Sequence, residues 1–171
     1  MELYQIHTKI LTPFTSETVA ALNTMAGLDG TAGKSYMDDI QDFSFKGFAV
    51  AVVAKTYGSI EGKILMHFDN DIALDIGKRI LASMLGEESA ATEMNEDISE
   101  AVTEFSNTII GLATGTLSQS DLRIRFTPPI FIHDDAEMEG LMQGVKEILT
   151  VPINTALGQF SFSYLLHNIA E

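Results

Sequence analysis

Glu104 and Asn107 lie three residues apart in the stretch 95–120, NEDISEAVTEFSNTIIGLATGTLSQS. On a helix that spacing sets a carboxylate beside a carboxamide. The carboxylate can ion-pair with a cation, and the carboxamide, which both donates and accepts hydrogen bonds, can orient a water molecule. Either service suits hydrolysis on a docked partner. Glu100 stands one turn before Glu104, a like-charge pair that costs an isolated helix a few tenths of a kcal/mol, so helix stability does not account for this face. By itself, however, an E-x-x-N pair is also what an ordinary solvated helix face contains.

The stretch that must position the pair reads as one amphipathic helix. At about 100° per residue, Ile98, Ala101, Val102, Phe105, Ile109, Leu112 and Ala113 form a stripe roughly 120° wide that is predicted to face the core. On the opposite side Glu100, Glu104, Asn107, Gly111 and Thr114 fall within about 80° of one another. Gly111 and Thr114 are small enough to admit another protein's backbone, and equally fit ordinary surface.

Before this helix, a short N-terminal segment reads as extended. Thr12-Pro13 then opens a helical pattern to about Leu28, with Thr12 as cap and Pro13 in the first turn. Residues 30–41 read as an irregular loop. FSFKGFAVAVVAKT from Phe43 and SIEGKILMHF from Ser59 predict a β-hairpin turning at Tyr57-Gly58. IALDIGKRILASML predicts a helix capped by Asn70 or Asp71 and ended by Gly86. Beyond Ser120, LRIRF and IFIHD are extended runs separated by Thr127-Pro128-Pro129. An acidic loop over 134–143 precedes a second hairpin, VKEILTVPIN and QFSFSYLLH, in which Pro152 predicts an edge or a bulge.

Asn23-Thr24-Met25-Ala26-Gly27 is echoed by Asn107-Thr108-Ile109-Ile110-Gly111, and Gly62-Lys63-Ile64-Leu65-Met66 by Gly158-Gln159-Phe160-Ser161-Phe162. The shared order suggests a duplicated helix-plus-strands unit, with halves of about 10–90 and 91–171. Ala20 occupies the place of Glu104 in the first half, so a site built on the pair exists once.

The chain, 171 residues with 46% hydrophobic content, suits a single well-buried domain. Its formal charge of −14 opposes extended contact with nucleic acid or anionic lipid and points to a protein partner. No run of 18 apolar residues and no signal-peptide pattern is present, which predicts a cytoplasmic protein. Without cysteine there is neither a disulfide nor a thiolate metal site. His7, His67, His133 and His167 are far apart, and no H-x-x-x-H, G-x-S-x-G or phosphate-cradling glycine loop occurs. Each histidine is therefore assigned a satisfied surface or core role, with no metal site.

Glu100, Glu104, Asn107 and Pro128-Pro129 together resemble the pattern of the CheC/CheX/FliY family of chemotaxis phosphatases, CheX most of all. The pattern is an acid or serine, three residues, Glu, two residues, Asn, then just over twenty residues to a proline. Pro13-Phe14, Met25-Ala26-Gly27, Met84-Leu85-Gly86-Glu87-Glu88 and the single motif also resemble CheX. Glu100 replaces the usual Asp or Ser, and the prolines fall one or two residues early. The resemblance covers about residues 10 to 165. It implies an α+β, CheC-like fold of two pseudo-symmetric halves, with two long helices on one face of a sheet. It further implies dephosphorylation of the aspartyl phosphate of a CheY-type response regulator. On that view Glu104 pairs with the regulator's active-site lysine, Asn107 positions the in-line water, and Glu100, Gly111 and Thr114 contact the partner. The chain then needs no cofactor of its own, Mg²⁺ being the regulator's. CheX relatives dimerise, often by sheet extension, for which the edge-like final strands are suited. The competing expectation is a non-catalytic adaptor at the flagellar switch or to a receptor-modifying enzyme.

Overall fold

The computed structural model describes residues 5, 7–43, 50–132 and 134–169. Among them are four α-helices: α1 (Thr12–Ala26), α2 (Asn70–Leu85), α3 (Glu96–Leu117) and α4 (Asp135–Leu141). Eight strands accompany them: β1 (Gly30–Ala32), β2 (Tyr36–Asp38), β3 (Val50–Gly58), β4 (Ile60–Phe68), β5 (Ile124–Phe126), β6 (Ile130–Ile132), β7 (Glu147–Thr155) and β8 (Gly158–Ile169). The strands form one antiparallel sheet in the order β1-β7-β8-β4-β3-β5, with β2 also on β7 and β6 also on β3. That order is palindromic about the β8–β4 pair, each end being two three-residue strands laid along one long strand.

Alternation along the central strands divides the core. Ile60, Ile64, Met66 and Phe68 of β4 join Phe160, Phe162, Tyr164 and Leu166 of β8 in the large cluster beneath the helices. Leu65 and Leu165 face the other way, with Val53, Ile132, Ile148 and the α4 residues Met138 and Leu141. Both faces are covered, so Ser161 and Ser163, the polar half of the β8 alternation, are buried too.

Two hairpins, β3–β4 and β7–β8, form where alternation predicts them. Gly58 turns the first at φ 111°, where a Cβ would come 2.1 Å from Arg123 O. The final strands are not edges, as the sequence suggested: β8 lies between β7 and β4, and β7 is flanked by β1 and β2. Strands this short carry no alternation signal, so 30–41 reads as loop until β7 recruits it. Pro152 sits at the break between β1 and β2, where its carbonyl accepts from Gly33 N–H at 2.7 Å. The amide and carbonyl of one strand residue point the same way, so its missing N–H falls in that break and costs the β8 ladder nothing. The β5–β6 break at Pro128-Pro129 is filled similarly: Thr127 Oγ1 accepts from Lys55 N at 2.9 Å, and Thr127 N donates to Lys55 O at 3.0 Å.

Helix α1 does not begin at a Thr12 cap. A π-helical turn over His7–Leu11 runs into it, and no side chain caps the junction. Pro13 cannot donate to the carbonyl four residues back and crowds it, which favours a wider turn just ahead. These residues are thus helical, not extended; 1–4 and 6 lie outside the described residues, as do 44–49 at the start of the first strand run. The N-cap of α2 is Asp69, one residue before the expected caps, and makes no side-chain cap bond. The acidic loop over 134–143 contains α4, capped by Asp134 Oδ1 accepting from Ala136 N and Glu137 N at 2.8 and 3.2 Å.

Besides the two long helices expected, α2 lies on the same sheet face, packed against α3. Gly77 permits the approach: a Cβ there would sit 2.5 Å from Ile98 Cγ2 and 3.1 Å from Ile98 O.

Candidate functional site

Three local features fix α3, the helix that carries the candidate pair. Asn95 Oδ1 accepts from Ile98 N at 2.9 Å, closing its first turn. Glu96 and Asp97 complement the positive end of the helix dipole. Ile98, Ala101, Val102, Phe105, Ile109 and Ala113 are buried as the wheel predicts. Leu112, placed in the same stripe, is instead 50% exposed. The cause is a turn of the buried arc along the helix. The first half buries Ile98, Ala101, Val102 and Phe105; the second buries Ser106, Ile109, Ala113 and Leu117, an arc rotated by roughly 70°. Helix α2 packs on the first half, where Gly77 meets Ile98 and Val102.

Glu100, Glu104, Asn107 and Gly111 are all exposed, and Thr114 is half-buried. Neither Glu104 nor Asn107 has a hydrogen-bond or ion-pair partner among the described residues. Their side chains therefore keep full capacity: two acceptor oxygens on one, and an acceptor and two donor hydrogens on the other. About 5–6 Å separates the Cβ atoms of such neighbours, so one partner group or water can be met by both. Beneath them Ser106 is buried, donating to Val102 O at 2.9 Å and touching Met66 Sδ at 3.6 Å, which seats the middle of α3 on β4. Thr114 differs from a free surface hydroxyl. Its Oγ1 donates back to Ile110 O at 2.6 Å, leaving only acceptor capacity outward. A Cβ on Gly111 would meet nothing within 4 Å, so this glycine is not required by packing inside the chain. Pro128-Pro129 lies between β5 and β6, both of which contact α3.

The histidines divide unevenly. His67 is buried on β4, the core position expected, with its Nε2 2.9 Å from Ser163 Oγ. Its neighbours continue to Thr150 Oγ1, 2.7 Å from Ser163 Oγ, and on to the Asp38 carboxylate. This serine–histidine–carboxylate set is sealed, Ser163 being 0% and His67 3% exposed, so it has no substrate access. His167 does not fit the satisfied role: its buried Nε2 has no hydrogen-bond partner among the described residues. No sequence motif marked it. The His7 side chain and His133 lie outside the described residues. Among the described residues no helix is long and apolar enough to cross a membrane.

Comparison with known proteins agrees with this architecture. A search of curated proteins finds no match. Among solved structures, the chemotaxis protein CheX of Desulfovibrio desulfuricans is 23% identical over 92% of this chain and 98% of its own, with a TM-score of 0.68. A CheC-like superfamily protein from Shewanella sp. PV-4 is 18% identical over 98% and 100%, at 0.73. The CheX of a CheX–CheY–BeF3–Mg²⁺ complex from Borrelia burgdorferi is 23% identical over 93% and 98%, at 0.67. At these identities the likeness is one of fold, and it makes the α+β architecture CheC-like. The family model for chemotaxis phosphatase CheX matches residues 50–153, a span holding β3, β4, the whole of α3 and most of β7. The chain belongs to the CheX family of chemotaxis phosphatases.

Proposed function

We propose that this chain accelerates hydrolysis of the aspartyl phosphate on a CheY-type response regulator, acting in the cytoplasm through Glu104 and Asn107. The observation that carries the reading is the paired exposure of a carboxylate and a carboxamide, one turn apart on α3 and unengaged by their own chain. Glu104 would pair with the regulator's active-site lysine, and Asn107 would hold the attacking water in line with the bond to be broken. Phosphoryl transfer depends on positioning and electrostatic stabilisation, so no nucleophile from this chain enters the reaction. Mg²⁺ would belong to the regulator. The Borrelia relative crystallised with CheY and Mg²⁺ supports a partner of this class. Glu100 and Gly111 flank the pair on the exposed face and Thr114 offers an acceptor beside them, so all three suit contact with the docked regulator.

We also read the chain as a single domain of two halves, about 10–90 and 91–171, and as a homodimer. The palindromic sheet supports the first reading; for the second, the available edges are the β1/β2 and β5/β6 ends.

The test is the decay of phosphorylated CheY-type regulators from the same organism, with wild type, Glu104→Ala and Asn107→Ala. Wild type should speed the decay, and each substitution should remove on the order of 100-fold of that gain, as loss of a positioning group does. Binding of the phosphorylated regulator with no change in decay would refute catalysis and leave an adaptor.

A further inference from the structure

Leu112 is the one large apolar side chain that α3 leaves exposed, and the helix surface changes character around it. Glu96, Asp97, Glu100 and Glu104 are all exposed and make the N-terminal half acidic. From Phe105 to Ser120 there is no charged residue. The exposed positions of this uncharged half are Asn107, Thr108, Gly111, Leu112, Gly115 and Thr116. Single apolar residues on a surface are ordinary. A leucine set in an uncharged patch that begins at Asn107 itself is a more particular arrangement.

Its placement follows from the buried arc. Ser106, Ile109, Ala113 and Leu117 face inward in this half, so the outward direction runs through Gly111 and Gly115. At about 100° per residue, Asn107 and Leu112 stand roughly 140° apart on the two shoulders of the outward face, with both glycines between them. Along the axis Leu112 lies roughly 7.5 Å beyond Asn107. A Cβ on either glycine meets nothing within 4 Å, and glycine weakens a helix relative to alanine. Neither packing nor helix stability therefore accounts for the low floor between the shoulders. A protein partner of ordinary size buries about 800 Å² of each surface, a patch roughly 16 Å in radius. One that brings an acyl phosphate to Glu104 and Asn107 therefore also reaches Leu112.

We propose that Leu112 is a docking residue for the CheY-type regulator, seated against an uncharged, apolar part of the regulator's surface beside its phosphorylated pocket. The inference rests on the reading above for its occupant, and the relative crystallised with CheY supports a partner of that class. It adds an orientation: the regulator's lysine lies toward the acidic N-terminal half of α3, and its apolar contact toward the C-terminal half. Leu112 takes no part in the reaction. It discriminates among regulators, because a charged side chain presented at this point would lose water against leucine and gain no partner.

The test is binding of CheY-type regulators from the same organism, held in the phosphorylated conformation by beryllofluoride and Mg²⁺, to wild type, Leu112→Gln and Leu112→Met. Decay of the phosphorylated regulator is followed beside it. Leu112→Gln should weaken Kd about tenfold, as loss of an anchoring contact does. KM should rise with it while kcat stays within about twofold, the mark of a contact made equally before and during the reaction. Leu112→Met should bind as wild type does. Gly115→Gln is a second variant that gains helix propensity at an open position, and its bulk between the shoulders should also weaken binding. An unchanged Kd in Leu112→Gln, or a fall in kcat alone, overturns the proposal and leaves the phosphatase reading standing. A regulator that wild type binds without speeding its decay refutes the phosphatase reading, and the Kd of Leu112→Gln still decides the role of Leu112.

Discussion

Acidification should destabilise this protein through His67. The ring is 3% exposed, lies 5.8 Å edge-on from Phe43, and its Nε2 is bound to Ser163. Burial lowers its pKa from 6.5 to about 3 in the folded chain. Above pH 6.5 both folded and unfolded states hold it neutral, and it contributes nothing to pH dependence. Below 6.5 the unfolded chain takes up a proton that the folded chain refuses, so stability falls until the pH approaches 3. One proton corresponds to about 1.4 kcal/mol per pH unit, hence a loss of about 2 kcal/mol at pH 5. For a chain of this size that loss lowers Tm by about 4–8 °C. Thermal melts at pH 7.5 and 5.0 should be compared for wild type and His67→Gln, which keeps a polar group near Ser163 and cannot titrate. The variant starts less stable but should lose about 2 kcal/mol less on acidification. Parallel losses would refute the reasoning, because the remaining carboxylates and histidines are common to both proteins.

Two further substitutions probe how α3 is held. Gly77→Ala gains helix propensity but drives a Cβ against Ile98, including its backbone oxygen, and a net loss of about 1–2 kcal/mol is expected in denaturant unfolding. Asn95→Ala removes the acceptor for Ile98 N and should cost about 1 kcal/mol, whereas Asn95→Asp should retain the cap and the stability.

The long elements were legible because each carries many copies of one period. Helix α3, expected over 95–120, spans Glu96–Leu117. The two central hairpins follow from alternation and a turn glycine. What escaped is decided by distant partners. Strands β1 and β2 are three residues each and exist because β7, more than a hundred residues later in the chain, offers a ladder. Leu112 is exposed because the buried arc turns along α3, which a wheel of fixed orientation does not record. Ser163 falls on the polar side of the β8 alternation, yet α4 and Phe43 cover that face, and burial leaves it Thr150 and His67 to bond, with Thr150 reaching on to Asp38. For the candidate site, residue type and spacing placed Glu104, Asn107, Glu100 and Gly111 on one exposed face. The engagement of the Thr114 hydroxyl depends on a rotamer and was invisible.

The palindromic sheet raises the question of why a helix as similarly placed as α1 carries no second pair. Asn23 holds the position that Asn107 holds in the matching pentapeptide, but its carboxamide is not free. Asn23 Nδ2 donates to Asp29 Oδ1 at 3.2 Å, tying the end of α1 to the turn that leads into β1. Helix α1 stops at Gly27, whose φ of 60° ends it four residues past Asn23, while α3 continues ten residues past Asn107 before Leu117. The first carboxamide therefore lies in the last turn of its helix and serves the chain's own connection. The second lies mid-helix, away from any turn it might close, and remains available to another molecule. Ala20 in place of a glutamate fits the same division: a carboxylate there would stand beside an amide already committed to Asp29. One sheet architecture thus uses the same residue type structurally at one end and leaves it unengaged at the other, and the length of the helix beyond the asparagine separates the two uses.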